Sequence, residues 1–244
     1  MNYLLDVRDL YVRRSRTFTL TIPILKLRES TILCITGPNG SGKTTLVDCL
    51  AGLLIPTAGT ICLQGKKVTN NLKPTRSILG YIPDDEEWFI KELCAKEYFA
   101  LLGTVYRDAG VCVNMPARIL ELAAALSFTS FDQPLEQLSH GNKKKVQIIA
   151  SLMHCPNVII IDELRNGLDP LAIIAAEQVI QREASRGACI VAATHDLWWA
   201  ERIANEVMLL VNGAPVVLGP KRRLIKTHGS LEKLFIKTLN KVQQ

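Results

Sequence analysis

Two stretches of the chain carry residue types at spacings that suit phosphate chemistry. The first is Gly37-Pro38-Asn39-Gly40-Ser41-Gly42-Lys43-Thr44, followed by Thr45, which fits G-x-x-x-x-G-K-[ST] at every fixed position. Glycines let a backbone curl until several N–H groups converge on phosphate oxygens, and a helix that follows offers its positive end to the same anion. Lys43 would meet the β- and γ-phosphates as a point charge, and the Thr44 hydroxyl is a hard oxygen suited to Mg²⁺. The second stretch is Val158-Ile159-Ile160-Ile161-Asp162-Glu163. Four apolar β-formers in a row predict a strand with no solvent face, and two carboxylates at its end are costly unless they find partners. A magnesium nucleotide supplies them: Asp162 would hold the ion, and Glu163 would polarise a water for in-line attack on the γ-phosphate.

These residues need a scaffold, and the pattern around them predicts one. Strands are expected over 3–10, 17–22, 31–36, 60–64 and 77–82, with a helix over 43–51 directly after the glycine-rich loop. From about 84 to 150 the texture turns helical, with patterns over 94–102 and 117–126. Strand and helix then alternate again: 158–161, 171–186, 188–192, 197–205 and 207–211. The fold class expected is α/β: a mostly parallel P-loop NTPase core with an antiparallel N-terminal part and an inserted helical subdomain. In domain terms, 1–228 form the ATPase unit (core 1–83 and 151–228, helical subdomain 84–150), and 229–244 a C-terminal helix and tail. Leu231, Leu234, Phe235 and Leu239 give that helix one apolar face.

Composition bounds the rest. The chain has 244 residues, 48% hydrophobic and 21% charged, which is ordinary globular usage and argues against disorder, collagen-like repeats or coiled coil. No apolar run approaches the roughly 20 residues of a spanning helix, and the first residues lack a secretory pattern, so a cytoplasmic location is expected. The 7 cysteines are an odd number without a C-x-x-C pair, which fits neither a disulfide framework nor a zinc site. The net charge of +6 is scattered, with its densest groups at 143–145 and 221–223, so a solvated basic face is expected and no nucleic-acid partner.

Six motifs in order resemble the nucleotide-binding domain of ABC (ATP-binding cassette) ATPases. Beside the phosphate loop and the Asp162-Glu163 strand, the 51–60 stretch Ala-Gly-Leu-Leu-Ile-Pro-Thr-Ala-Gly-Thr is similar to the family's AGL-x-x-P-T-x-G segment. Leu138-Ser139-His140-Gly141-Asn142 resembles the LSGGQ signature, Asn166-Gly167-Leu168-Asp169-Pro170 the D-loop, and Thr194-His195-Asp196 the switch-histidine loop. The resemblance implies two such chains meeting head to tail over two ATP molecules, the signature of one facing the phosphate loop of the other. Ser139 would cap a helix starting near Asn142 and hold the partner's γ-phosphate, with the bare lysines 143–145 adding positive field; His195 would touch the same phosphate group.

Departures from the pattern matter too. Asp84 stands where the family has a glutamine, and could hold Mg²⁺ or its water. His140 and Asn142 replace a glycine and a glutamine of the signature, and Leu164-Arg165 stands where Pro/Ala-Thr is common. The adenine-stacking aromatic is expected near Arg14; Tyr11 and Phe18 do not align cleanly there, so the plane of Arg13 or Arg14 is the candidate. The resemblance further implies a membrane-spanning subunit docking near Trp88-Phe89, a bacterial exporter-like arrangement with that subunit on a separate chain, and a peripheral place on the cytosolic membrane face. The alternatives are a soluble ABC ATPase acting on nucleic acid or the ribosome, and a weakly hydrolysing regulatory subunit.

Overall fold

The structure, a computed structural model, describes residues 3–69, 71–85 and 89–242. Two sheets organise it. The smaller is antiparallel, with strands β1 (Leu5–Arg13), β2 (Thr19–Leu27), β4 (Ala58–Leu63) and β5 (Lys66–Lys67) in the order β2-β1-β4-β5. The larger contains β3 (Ile32–Thr36), β6 (Leu79–Ile82), β7 (Val158–Asp162), β8 (Cys189–Ala193), β9 (Glu206–Val211) and β10 (Ala214–Pro220) in the order β10-β9-β3-β8-β7-β6. Its pairs are parallel except for the β9–β10 hairpin.

The apolar runs explain this arrangement. β3, β7 and β8 are buried along their whole length, as strands covered on both faces must be. Their side chains alternate between two cores. Leu33, Ile35, Val158, Ile160 and Val191 face the antiparallel sheet and helix α1 (Lys43–Ala51). Cys34, Ile159, Ile161 and Ile190 face the other helices. Between β6 and β7 come α2 (Ala95–Asp108), α3 (Met115–Ala125) and α4 (His140–Leu152); after β7 come α5 (Pro170–Ser185), α6 (Leu197–Ile203), α7 (Lys221–His228) and α8 (Leu231–Val242). α8 buries Leu231 and Leu234 and packs on α6 and α7, as its apolar stripe predicts.

Several bounds differ from the sequence reading. The second strand continues through Pro23 to Leu27; β2 is an edge strand, where a missing N–H breaks no ladder. β10 and α7 carried no readable pattern. β10 alternates only between exposed and half-buried positions and contains two prolines, and α7 has no buried residue.

Candidate functional site

The parallel strands end at one edge of the large sheet, and the chemistry collects there. β3 ends at Thr36, and the glycine-rich loop curls from it into α1. A Cβ on Gly37 would sit 2.2 Å from the Leu210 carbonyl oxygen, and one on Gly42, at φ 103°, would sit 2.9 Å from the Phe18 ring. Only glycine fits either place. Lys43 Nζ donates to the carbonyls of Gly37 at 2.9 Å and Pro38 at 3.2 Å, so the lysine arches over its own loop. Burial lowers its pKa, while Glu163 and Asp162 oppose that shift.

Strand β7 delivers the acids. Asp162 is 6% exposed, and its carboxyl is pushed up to about 6, first by burial and then by the charges of Asp84 and Glu163, with a hydrogen bond from Thr44 acting the other way. Glu163 leaves the strand at φ 46°, a left-handed conformation unusual for a non-glycine residue and one that costs about 1–3 kcal/mol. That turn aims its carboxylate at the end of β8. Thr194 Oγ1 donates to it at 3.2 Å and the His195 backbone N–H at 3.0 Å, with His195 Nδ1 2.7 Å away. The base candidate and the switch histidine are thus one hydrogen-bonded unit.

A cleft of about 590 Å³ joins these parts, lined by Arg14, Phe18, Asn39, Gly40, Gly42, Lys43, Thr44, Thr45, Asp84, Asp162 and Glu163. Asp84 is therefore in the site, where Asn166 Nδ2 holds it at 2.7 Å. Arg14 lines the cleft as expected. Phe18 does too, and its ring lies against Gly42, a placement that counting residues along the chain did not give. The turn between β1 and β2 explains it: Arg14 and Ser15 donate their N–H groups to the Phe18 carbonyl, which folds both residues to one mouth.

The donor set fits a hard divalent ion. Thr44, Asp162 and Asp84 offer oxygen, and a cation would relieve both the burial that chiefly raises the Asp162 pKa and the negative charge of Asp84 and Glu163 beside it. Among the described residues no three His, Cys, Asp or Glu side chains form a metal cage by themselves. A Mg²⁺ ion held here would need phosphate oxygens and water as well, which is its usual habit.

The signature residues lie at the start of α4. Ser139 is its N-cap and accepts from the Asn142 N–H at 3.3 Å; the helix begins at His140, two residues earlier than expected. Gly141 approaches the D-loop, where a Cβ would meet the Gly167 carbonyl at 3.1 Å. Leu168 packs on the core, and Asp169 caps α5 by accepting from the Leu171 and Ala172 N–H groups at 2.9 Å. Arg165 forms an ion pair with Asp196, tying the D-loop region to the switch loop. One expectation is corrected: the lysines at 143–145 are not a bare run, because Lys144 is 2% exposed and points inward.

Phe89 is buried and meets Tyr98 edge-on at 5.5 Å; Glu86, Glu87 and Trp88 lie outside the described residues. No described helix is long and apolar enough to cross a membrane.

Comparison with known proteins agrees with this geometry. The family model for ABC transporters matches residues 22–166. An ABC transporter ATP-binding protein of Alkalihalophilus pseudofirmus is 32% identical over 190 residues, covering 77% of this chain and 68% of that protein. The Nod factor export ATP-binding protein I of Paraburkholderia xenovorans is 31% identical, covering 78% of this chain but 62% of that protein's length. Among solved structures, an ATP-binding subunit of an ABC transporter superposes with TM-score 0.87 at 27% identity, covering 96% of this chain and 98% of the other. CbiO1 of Clostridium perfringens, described as part of the CbiONQ transporter complex, shares the fold at TM-score 0.75 and 23% identity, covering 93% and 92%. The chain belongs to the ABC transporter family, as one of the ATP-binding subunits that hydrolyse ATP to drive transport.

Proposed function

We propose that the chain is the Mg²⁺-dependent motor subunit of an ABC transporter, working as a pair of ATP-binding subunits on the cytosolic face of a membrane beneath a separate membrane-spanning protein. The observation that carries this is the single cleft that joins Lys43, Thr44, Asp162 and Glu163, with His195 bonded to Glu163.

The residues divide the work. Backbone N–H groups of 40–45 and Lys43 bind the β- and γ-phosphates, and Lys43 exchanges its two loop carbonyls for phosphate oxygens. Phe18 and Arg14 offer flat faces to the adenine. Thr44, Asp162 and Asp84 would hold Mg²⁺, which supplies charge neutralisation between the phosphates. Glu163 accepts a hydrogen bond from the attacking water. The His195 N–H groups fix the carboxylate that does so, and the imidazole lies where it can also meet the γ-phosphate. The signature of a second chain, Leu138 to Asn142, closes the site, with the Ser139 hydroxyl and the N-terminus of α4 facing the incoming phosphate.

The helical segment 84–150 is read as a subdomain. Between it and the core lies an apolar cleft of about 510 Å³ that includes Leu72, Leu79, Phe89, Tyr98, Leu102 and Tyr106, and the membrane subunit would dock there. The names of the curated relatives speak for transport rather than action on nucleic acid. The test is direct. Purified chain should hydrolyse ATP only when Mg²⁺ is present, and Lys43→Ala should abolish both turnover and fluorescent-ATP binding. Unchanged affinity in that variant would place the phosphate site elsewhere.

A further inference from the structure

Strand β6 is the edge of the large sheet, so the carbonyls of alternate residues face away from β7. Side chains of α4 and its exit turn meet that row. His154 Nε2 lies 3.1 Å from the Leu79 oxygen, Ser151 Oγ donates to the Tyr81 carbonyl, Lys144 Nζ donates to the Pro83 carbonyl at 2.6 Å, and Gln147 Nε2 donates to the Asp85 carbonyl. The helix that begins with the signature is thereby fastened to the loop that carries Asp84.

Lys144 is the unusual member of the row. Three donors are hydroxyl, amide or imidazole, but the fourth is an ammonium on a side chain 2% exposed. A carbonyl alone does not compensate a buried charge; nearby opposite charge must. The acids that bear on it are, strongest first, Asp84, Asp162, Glu163 and Asp85.

We propose that Lys144 is a positioning residue for ATP hydrolysis: its ammonium holds the Pro83 carbonyl and offsets the charge of Asp84, keeping that acid at the metal site. This rests on the reading of Asp84 as a side chain that holds Mg²⁺ or its water. Burial lowers the Lys144 pKa to about 8, and the four acids resist that shift.

A double-mutant cycle tests it, with Lys144→Gln, Asp84→Asn, both together, and Lys144→Arg as the conservative control. ATP turnover is measured under saturating Mg²⁺. Lys144→Gln should lower kcat on the order of tenfold with KM for ATP within about twofold, and Lys144→Arg should stay within about threefold of wild type. In the Asp84→Asn background the same Lys144→Gln change should cost less than about threefold, because the charge it offset is gone. An equal factor in both backgrounds, or wild-type turnover in Lys144→Gln, overturns the proposal. If Lys144→Gln does not fold, thermal melts decide: the double variant should fold, and a double variant that is also unfolded overturns it. A flat Mg²⁺ titration for Asp84→Ala counts against the metal role of Asp84 alone, whereas additivity in the cycle counts against Lys144.

Discussion

At the scale of single residues, the meeting of Lys43, Asp162 and Glu163 in one cleft was legible because phosphate chemistry ties residue type and spacing together. A loop that must wrap a phosphate needs glycine at Gly37 and Gly42, and the near contacts with Leu210 and Phe18 show why. Phe18 was not legible as a residue of the cleft, because its place depends on the width of the turn between β1 and β2 rather than on a count along the chain. Lys144 was misread as solvated, since a lysine beside two others on a polar helix start carries no sign of pointing inward. Asp84 permits a sharp prediction. If it helps hold Mg²⁺, Asp84→Ala should raise the Mg²⁺ concentration for half-maximal ATPase activity, and Asp84→Gln should restore most of it through an amide oxygen. A wild-type Mg²⁺ titration in the alanine variant would reduce Asp84 to a turn residue held by Asn166.

At the scale of elements, fully buried strands were easier to read than their edges. β3, β7 and β8 announce themselves as apolar runs, whereas β10 at the sheet edge and the polar α7 depend on neighbours that no local pattern reports. The junction of α4 with β6 is where pH should act on stability. Burial pushes the His154 imidazole down to about 4, although its bond to the Leu79 carbonyl opposes this. A depressed histidine pKa stabilises the fold above the unfolded value near 6.5, and that contribution is lost as pH falls from there toward about 4. The full loss is about 3 kcal/mol, taking about 1.4 kcal/mol per pKa unit. His154→Gln keeps a donor for Leu79 and cannot titrate there. Its melting temperature should therefore fall less than that of wild type between about pH 7 and about pH 4.5. Parallel curves for the two proteins would show that His154 is not the acid-sensitive group.

At the scale of the whole molecule, the mostly parallel sheet brings Lys43, Thr44, Asp162 and Glu163 to one cleft at the carboxyl ends of its strands, and on the proposed reading that cleft is half of a paired site. The phosphate loop, Asp162 and Glu163 line the cleft, while Ser139 caps a separate helix whose N-terminus, on the proposed reading, faces the phosphate of a second chain. That division motivates the two-chain arrangement. Leu171 and Trp198 agree with it: they follow the D-loop and the switch loop, and are 79% and 62% exposed. The most direct test uses Glu163→Gln, which keeps the side chain's shape and removes its charge. ATP turnover should fall on the order of 10²–10³-fold, about 3–4 kcal/mol in barrier, while ATP binding persists. With ATP and Mg²⁺, light scattering on this variant should read about 54 kDa, twice the 27.0 kDa of one chain, and return to the single-chain mass when nucleotide is removed. Near wild-type hydrolysis, with the mass at 27.0 kDa throughout, would contradict both the assignment of Glu163 and the shared site.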